Sequence, residues 1–158
     1  MMSRIYLFDW GDTLMINFPN EPGHMKDWPK VEEVSGAYEV LKTLSLNAKI
    51  FVATGSQGTS STLMQIAFAR TRLAPYICAY FCPDNIGYEK PSADFYKTIA
   101  NKVGAEMAEI TMVGDNLVRD ALPALSVGMS AIWLNTTHQE NTNKVDEISG
   151  LIELVNKR

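Results

Sequence analysis

The chain has 158 residues, of which 46% are hydrophobic and 20% charged. That balance excludes wholesale disorder and lets one domain bury about two thirds of its unfolded surface without a disulfide or structural metal. A net charge of −4 argues against broad electrostatic binding to nucleic acid or to an anionic membrane.

The first apolar run, Arg4–Phe8, is followed by Asp9. It is too short for a secretory signal, and no later run approaches the ~20 residues of a membrane span, so a cytoplasmic location is expected. Met15 to Lys30 breaks the pattern with Pro19, Pro22, Pro29, Gly23, His24 and Trp28. It reads as a long loop or flap, the kind of segment that is usually functional. Ala37, Val40, Leu41 and Leu44 then give a helical stripe, with Ser35 as its expected N-cap. A second apolar run, Lys49–Ala53, ends in Thr54-Gly55-Ser56 and leads to a stripe at Leu63, Ile66 and Ala67. The third run, Ala79–Cys82, is followed by Gly87-Tyr88-Glu89-Lys90-Pro91 and a stripe at Phe95, Ile99 and Val103 closed by Gly104. Cys78 and Cys82 lack further soft ligands at zinc spacing and are expected to be buried free thiols. The fourth run, Ile110–Val113, ends in Gly114-Asp115, with Asp120 five residues on and a stripe at Leu117, Ala121, Ala124 and Leu125. Ser130–Leu134 is the fifth run. Asn135 to Asn143 is polar and reads as solvated, and Val145, Ile148, Ile152 and Val155 suggest a last helix.

Runs of four to six apolar residues alternating with helical stripes imply a parallel sheet with helices on both faces. The expected α/β fold has one domain, residues 1–158, and a sheet of five parallel strands. In such sheets ligands bind beyond the carboxyl ends of the strands. Asp9, Thr54 and Asp115 stand at three such ends, and Lys90 follows a fourth. Each has an ordinary structural explanation alone, as a turn residue, a helix cap or a solvated acid. Their joint occurrence, in order, points to one polar site.

On these residues the chain resembles the haloacid dehalogenase superfamily of hydrolases. The matching pieces are Asp9–Leu14, Thr54, Lys90-Pro91 with Phe95, and Gly114-Asp115 with Asp120. The resemblance implies a Rossmann-like three-layer α/β/α domain and a Mg²⁺-dependent phosphohydrolase. Asp9 would be the nucleophile, forming an aspartyl-phosphate. Mg²⁺ would be held by Asp9, the Gly11 carbonyl and Asp115, with Asp120 acting directly or through a water. Thr54, at a helix N-terminus, and Gly55 would bind phosphate. Lys90 would bind it too, holding nucleophile and phosphate together. The implied partner is a phosphorylated substrate, small molecule or macromolecule.

One position departs from the family's phosphatases, which carry a second aspartate two residues after the nucleophile. Here it is Gly11. A missing general acid–base costs ~10²–10⁴ in rate, unless Asp12 or His24 substitutes. The open alternative is a non-catalytic or regulatory domain that binds metal and phosphate without efficient turnover. A dehalogenase would have no use for the acidic pair Asp115 and Asp120. A response-regulator-type phosphoacceptor would need its acids in a different order. Asp9 and Thr54 are 45 positions apart, and Thr54 and Lys90 36. Neither interval holds a full cap domain, so the chain resembles the capless subgroup, with residues 15–30 as its cover.

Overall fold

The computed structural model describes residues 5–156. Six parallel strands form one sheet: β1 (Ile5–Phe8), β2 (Lys49–Ala53), β3 (Ala79–Phe81), β4 (Ile110–Gly114), β5 (Ser130–Leu134) and β6 (Asp146–Ile148). Their spatial order is β3-β2-β1-β4-β5-β6. Phe8 lies opposite both Val52 and Val113, so β1 is central and flanked by β2 and β4. The chain order reverses at β1, which is where a doubly wound sheet opens its ligand crevice.

Helices cover both faces. Tyr6, Phe8, Ile50 and Val52 point to one face, against α1 (Ala37–Leu44), α2 (Ser61–Phe68) and α6 (Glu153–Asn156). Ile5, Leu7, Phe51 and Met112 point to the other, against α3 (Pro83–Ile86), α4 (Ala93–Val103) and α5 (Leu122–Ser126). Alternate residues of a strand serve opposite faces, so a strand sandwiched between two helical layers must be apolar throughout. The sequence of β1 obeys this, with all four residues buried.

The architecture agrees with the expected fold class, with several corrections. The sheet has six strands, not five, because Asp146–Ile148 is an edge strand rather than the start of the last helix. Only Ile148 of its three residues is buried, and the helix that follows is the single turn α6. Arg4 lies outside the described residues. Gly36, not Ser35, precedes α1, with φ 85° in the left-handed region. The buried side of α2 is Met64, Ala67 and Phe68, whereas Ile66 is exposed. Cys82 is buried, but Cys78 is exposed because it precedes β3 and only its backbone joins the sheet edge. Helix α4 ends at Gly104 as expected, and its start is capped by Ser92 Oγ, which accepts from Phe95 N–H.

Residues 15–30 are irregular apart from the turn Met25–Asp27, yet they are packed. Met15, Met25 and Trp28 are buried. Beyond α2, the Arg70 guanidinium donates to the carbonyls of Lys26, Trp28 and Pro29 at 3.0, 2.6 and 3.4 Å. The segment is therefore fastened along its second half. No helix among the described residues is long and apolar enough to cross a membrane.

Candidate active site

The carboxyl ends of β1, β2 and β4 open into a cavity of about 540 Å³. Its lining includes Asp9, Gly11, Thr54, Gly55, Lys90, Asp115 and Asp120, every site residue expected from the sequence. Asp9 N–H donates to Val113 O at 2.9 Å, which ties the end of β1 to β4 two residues before Asp115. The Asp115 carbonyl in turn accepts from Trp133 Nε1 at 3.1 Å.

Asp9, Asp115 and Asp120 each offer an oxygen within 4.8 Å of the others. Such crowding needs compensation, and the chain supplies two kinds. Lys90 Nζ, buried beneath the cluster, donates to Asp9 Oδ1 at 3.0 Å, Asp120 Oδ1 at 2.7 Å and Ala53 O at 3.0 Å. Burial opposes its charge, but Asp9 and Asp120 outweigh that and hold its pKa above the ordinary lysine value. Thr13 is the second. Its fully buried hydroxyl lies 3.3 Å from Asp9 Oδ2 and 3.2 Å from Asp115 Oδ1, and accepts from Asp115 N–H at 3.1 Å.

Asp120 reaches the site from a π-helical turn, Leu117–Ala121, that runs into α5. Such turns re-aim side chains and are frequent at functional sites. Its second oxygen accepts from Asn116 N–H at 3.2 Å. A Cβ at position 114 would collide with this carboxylate, which explains the glycine there.

One expectation needs revision. Thr54 stands at the end of β2 rather than at a helix N-terminus, because α2 starts only at Ser61 and is capped by Ser60 Oγ. Thr54 Oγ1 instead accepts from Ser56 N–H at 3.1 Å and shapes the turn itself. Asp12 has φ 61° and its carboxylate accepts from Asn17 N–H at 2.9 Å; it does not line the cavity. His24 lines a neighbouring cavity of about 240 Å³, whose wall shares Gly11, Ser56 and Gln57 with the main one. Thr13, Ser56, Asn116 and Arg119 were not singled out from the sequence. For Thr13 there was a signal, namely its place inside the Asp9–Leu14 motif.

Burial, contact with Asp9 and the charges of Asp9 and Asp120 raise Asp115 to about 7, against an ordinary 3.8; the Thr13 bond opposes this. Burial likewise raises Asp120 to about 6, with Lys90 opposing. A folded-state pKa raised in this way means the unfolded chain releases its proton first. The associated stability is full below about pH 4 and is lost as pH rises through about 7. In chelator, the melting temperature should fall between pH 5 and pH 8 by about 2–8 °C, the effect of one to two kcal/mol in a domain of this size. Asp115→Asn should flatten that fall; an equally steep profile in the variant would show that Asp115 is not its source.

Comparison with known proteins shows the family. A family model described as haloacid dehalogenase-like hydrolase matches residues 11–128, starting two residues after Asp9. A pyrimidine 5'-nucleotidase, PynA, of Streptococcus pneumoniae is 29% identical over 112 residues, which is 70% of this chain and 46% of that enzyme. The chain thus spans less than half the length of that curated relative. Among solved structures, the putative HAD-hydrolase YfnB of Bacillus subtilis, bound to magnesium, superposes with a TM-score of 0.80 at 15% identity, covering 99% of each chain. A HAD phosphatase from Thermococcus onnurineus superposes with a TM-score of 0.70 at 26% identity, covering 80% of this chain and 58% of that one. With the strand-end aspartates, the buried lysine and a family match over most of its length, the chain belongs to the haloacid dehalogenase-like hydrolases.

Proposed function

We propose that the protein is a Mg²⁺-dependent phosphohydrolase working through an aspartyl-phosphate on Asp9. The observation that carries this reading is the position of the Asp9 carboxylate, at the floor of an open polar cavity and held from below by Lys90. A phosphorus centre entering that cavity would meet a carboxylate whose orientation is already fixed. Attack forms the O–P bond to Asp9 as the bond to the leaving oxygen breaks, and water then cleaves the acyl phosphate. Lys90 keeps Asp9 aimed and balances the charge that shifts during transfer. The likeness to a pyrimidine 5'-nucleotidase supports a phosphomonoester substrate.

The donor set fits Mg²⁺, being all oxygen and compact. Asp9 and Asp115 would hold the ion, together with the Gly11 carbonyl, on which no hydrogen bond from the described residues ends. Asp120, occupied by Lys90 and Asn116 N–H, would act from behind them. Bound there, the ion would neutralise charge on the phosphoryl oxygens.

The experiment is turnover of a small aryl phosphate with Mg²⁺, repeated after chelation. Turnover that disappears on chelation and returns with the metal is expected. At a hundredfold its dissociation constant Mg²⁺ should add about 2.7 kcal/mol, roughly 5–10 °C in melting temperature. An unchanged melting temperature together with chelator-resistant turnover would sink the metal role. A second reading, a domain that binds metal and phosphate without turning over, is favoured by Gly11 and by the outward set of Asp12. Phosphate binding without any turnover would establish it.

A further inference from the structure

An ammonium group has three donors and no acceptor. All three of Lys90's are spent, on Asp9, Asp120 and the Ala53 carbonyl, and its side chain is 2% exposed. An incoming phosphoryl oxygen could bond it only by displacing one of these partners. The turn after β2 is similarly committed. Thr54 N–H donates to Phe81 O at 3.0 Å and Ser56 N–H to Thr54 Oγ1, which leaves only the Gly55 N–H on that turn.

Arg119 is in the opposite condition. It is exposed and lines the same cavity, and its guanidinium makes no ion pair or hydrogen bond among the described residues. Its backbone is braced at both ends. The N–H donates to Asn116 Oδ1 at 3.0 Å, and the carbonyl accepts from the buried Tyr96 hydroxyl at 2.6 Å. From that fixed base the side chain crosses to the turn after β2. A Cβ added to Gly55 would fall 2.5 Å from Arg119 Nη2, so the glycine makes room for the guanidinium beside the turn's free N–H.

We infer that Arg119 grips the substrate's phosphoryl oxygens, a second cation beside Lys90, whose donors are taken by Asp9, Asp120 and the Ala53 carbonyl. The inference rests on the phosphohydrolase reading and adds a specific substrate contact to it. A guanidinium presents a planar fork that matches two phosphoryl oxygens at once, which a single ammonium cannot do. The charge argument agrees: three carboxylates face one lysine in the cavity, and a dianionic ester entering it needs a cation not already neutralised.

The test uses the whole chain with Mg²⁺ present and inorganic phosphate as the binding probe, alongside turnover of an aryl phosphate. Hydrogen bonds to charged groups contribute 1.5–3 kcal/mol, so Arg119→Ala should weaken phosphate binding and raise KM by about 10- to 150-fold. Arg119→Lys should recover part of the loss, keeping the charge without the fork. Unchanged phosphate affinity in Arg119→Ala, with the native protein binding phosphate normally, would overturn the inference and leave the phosphohydrolase reading standing. A loss confined to substrates with a second anionic group would overturn it too. If the native protein neither binds phosphate nor turns over the ester, the phosphohydrolase reading fails and this inference falls with it.

Discussion

Asp9→Asn should reduce turnover of a phosphomonoester by a factor on the order of 10⁴–10⁶, the scale seen when a nucleophile is removed from a group that acts as a unit. The amide keeps the size and planar shape of the carboxylate. It can still accept from Lys90 Nζ and still lie beside the Thr13 hydroxyl, so the fold should survive. What it loses is the ability to form an O–P bond to the phosphoryl group and later yield that group to water. Asp115 and Asp120 do not replace it. Asp120 has both oxygens committed, to Lys90 and to Asn116 N–H. Asp115 is held by Thr13 beyond the end of the neighbouring strand. Circular dichroism would confirm folding, and acid quenching during turnover would trap phosphate on the native protein and none on the variant. A variant retaining more than a few per cent of native turnover would show that Asp9 is not the nucleophile.

The route from sequence to this site was short because of how parallel sheets are built. A strand covered on both faces must be apolar from end to end, so Ile5–Phe8 stands out and the first polar residue after it marks the crevice. Asp9, Thr54 and Asp115 are such residues, and all line the cavity. The edge strand Asp146–Ile148 carries no such mark. It is three residues long, two of them charged and exposed, and its one buried residue, Ile148, fits a helical stripe equally well. The packing of residues 15–30 was equally hidden, since it depends on Arg70, about forty positions away, bonding to three backbone carbonyls. Thr13 and Arg119 act through folded geometry: a turn that buries one hydroxyl, and a π-helical turn that sends one guanidinium across the cavity. Thr13 at least lies inside the Asp9–Leu14 motif, whereas no spacing rule announces Arg119.

Gly11→Asp should raise turnover by ten- to a hundredfold, within the ~10²–10⁴ span of general acid–base catalysis. The leaving oxygen of a phosphomonoester needs a proton, and the attacking water of the second step must give one up. Gly11 supplies no group for either. The position can accept a side chain, because the nearest atom to a Cβ there is Asn17 Cβ at 3.7 Å and its φ lies outside the left-handed region. The new carboxylate would stand on the wall shared by the two neighbouring cavities, two residues from Asp9. Asp12→Ala should leave turnover within about twofold, since its carboxylate is occupied by Asn17 N–H and faces away from the cavity lining. His24 is the candidate native surrogate, as it lines the smaller cavity beside Gly11. His24→Ala should cost about tenfold or more if it donates the proton. In Gly11→Asp the same His24 change should cost little, because the aspartate takes over. Brisk native turnover unaffected by Gly11→Asp and by His24→Ala alike would mean that the substrate or solvent supplies the proton, and the account of a phosphatase slowed by its glycine would be wrong.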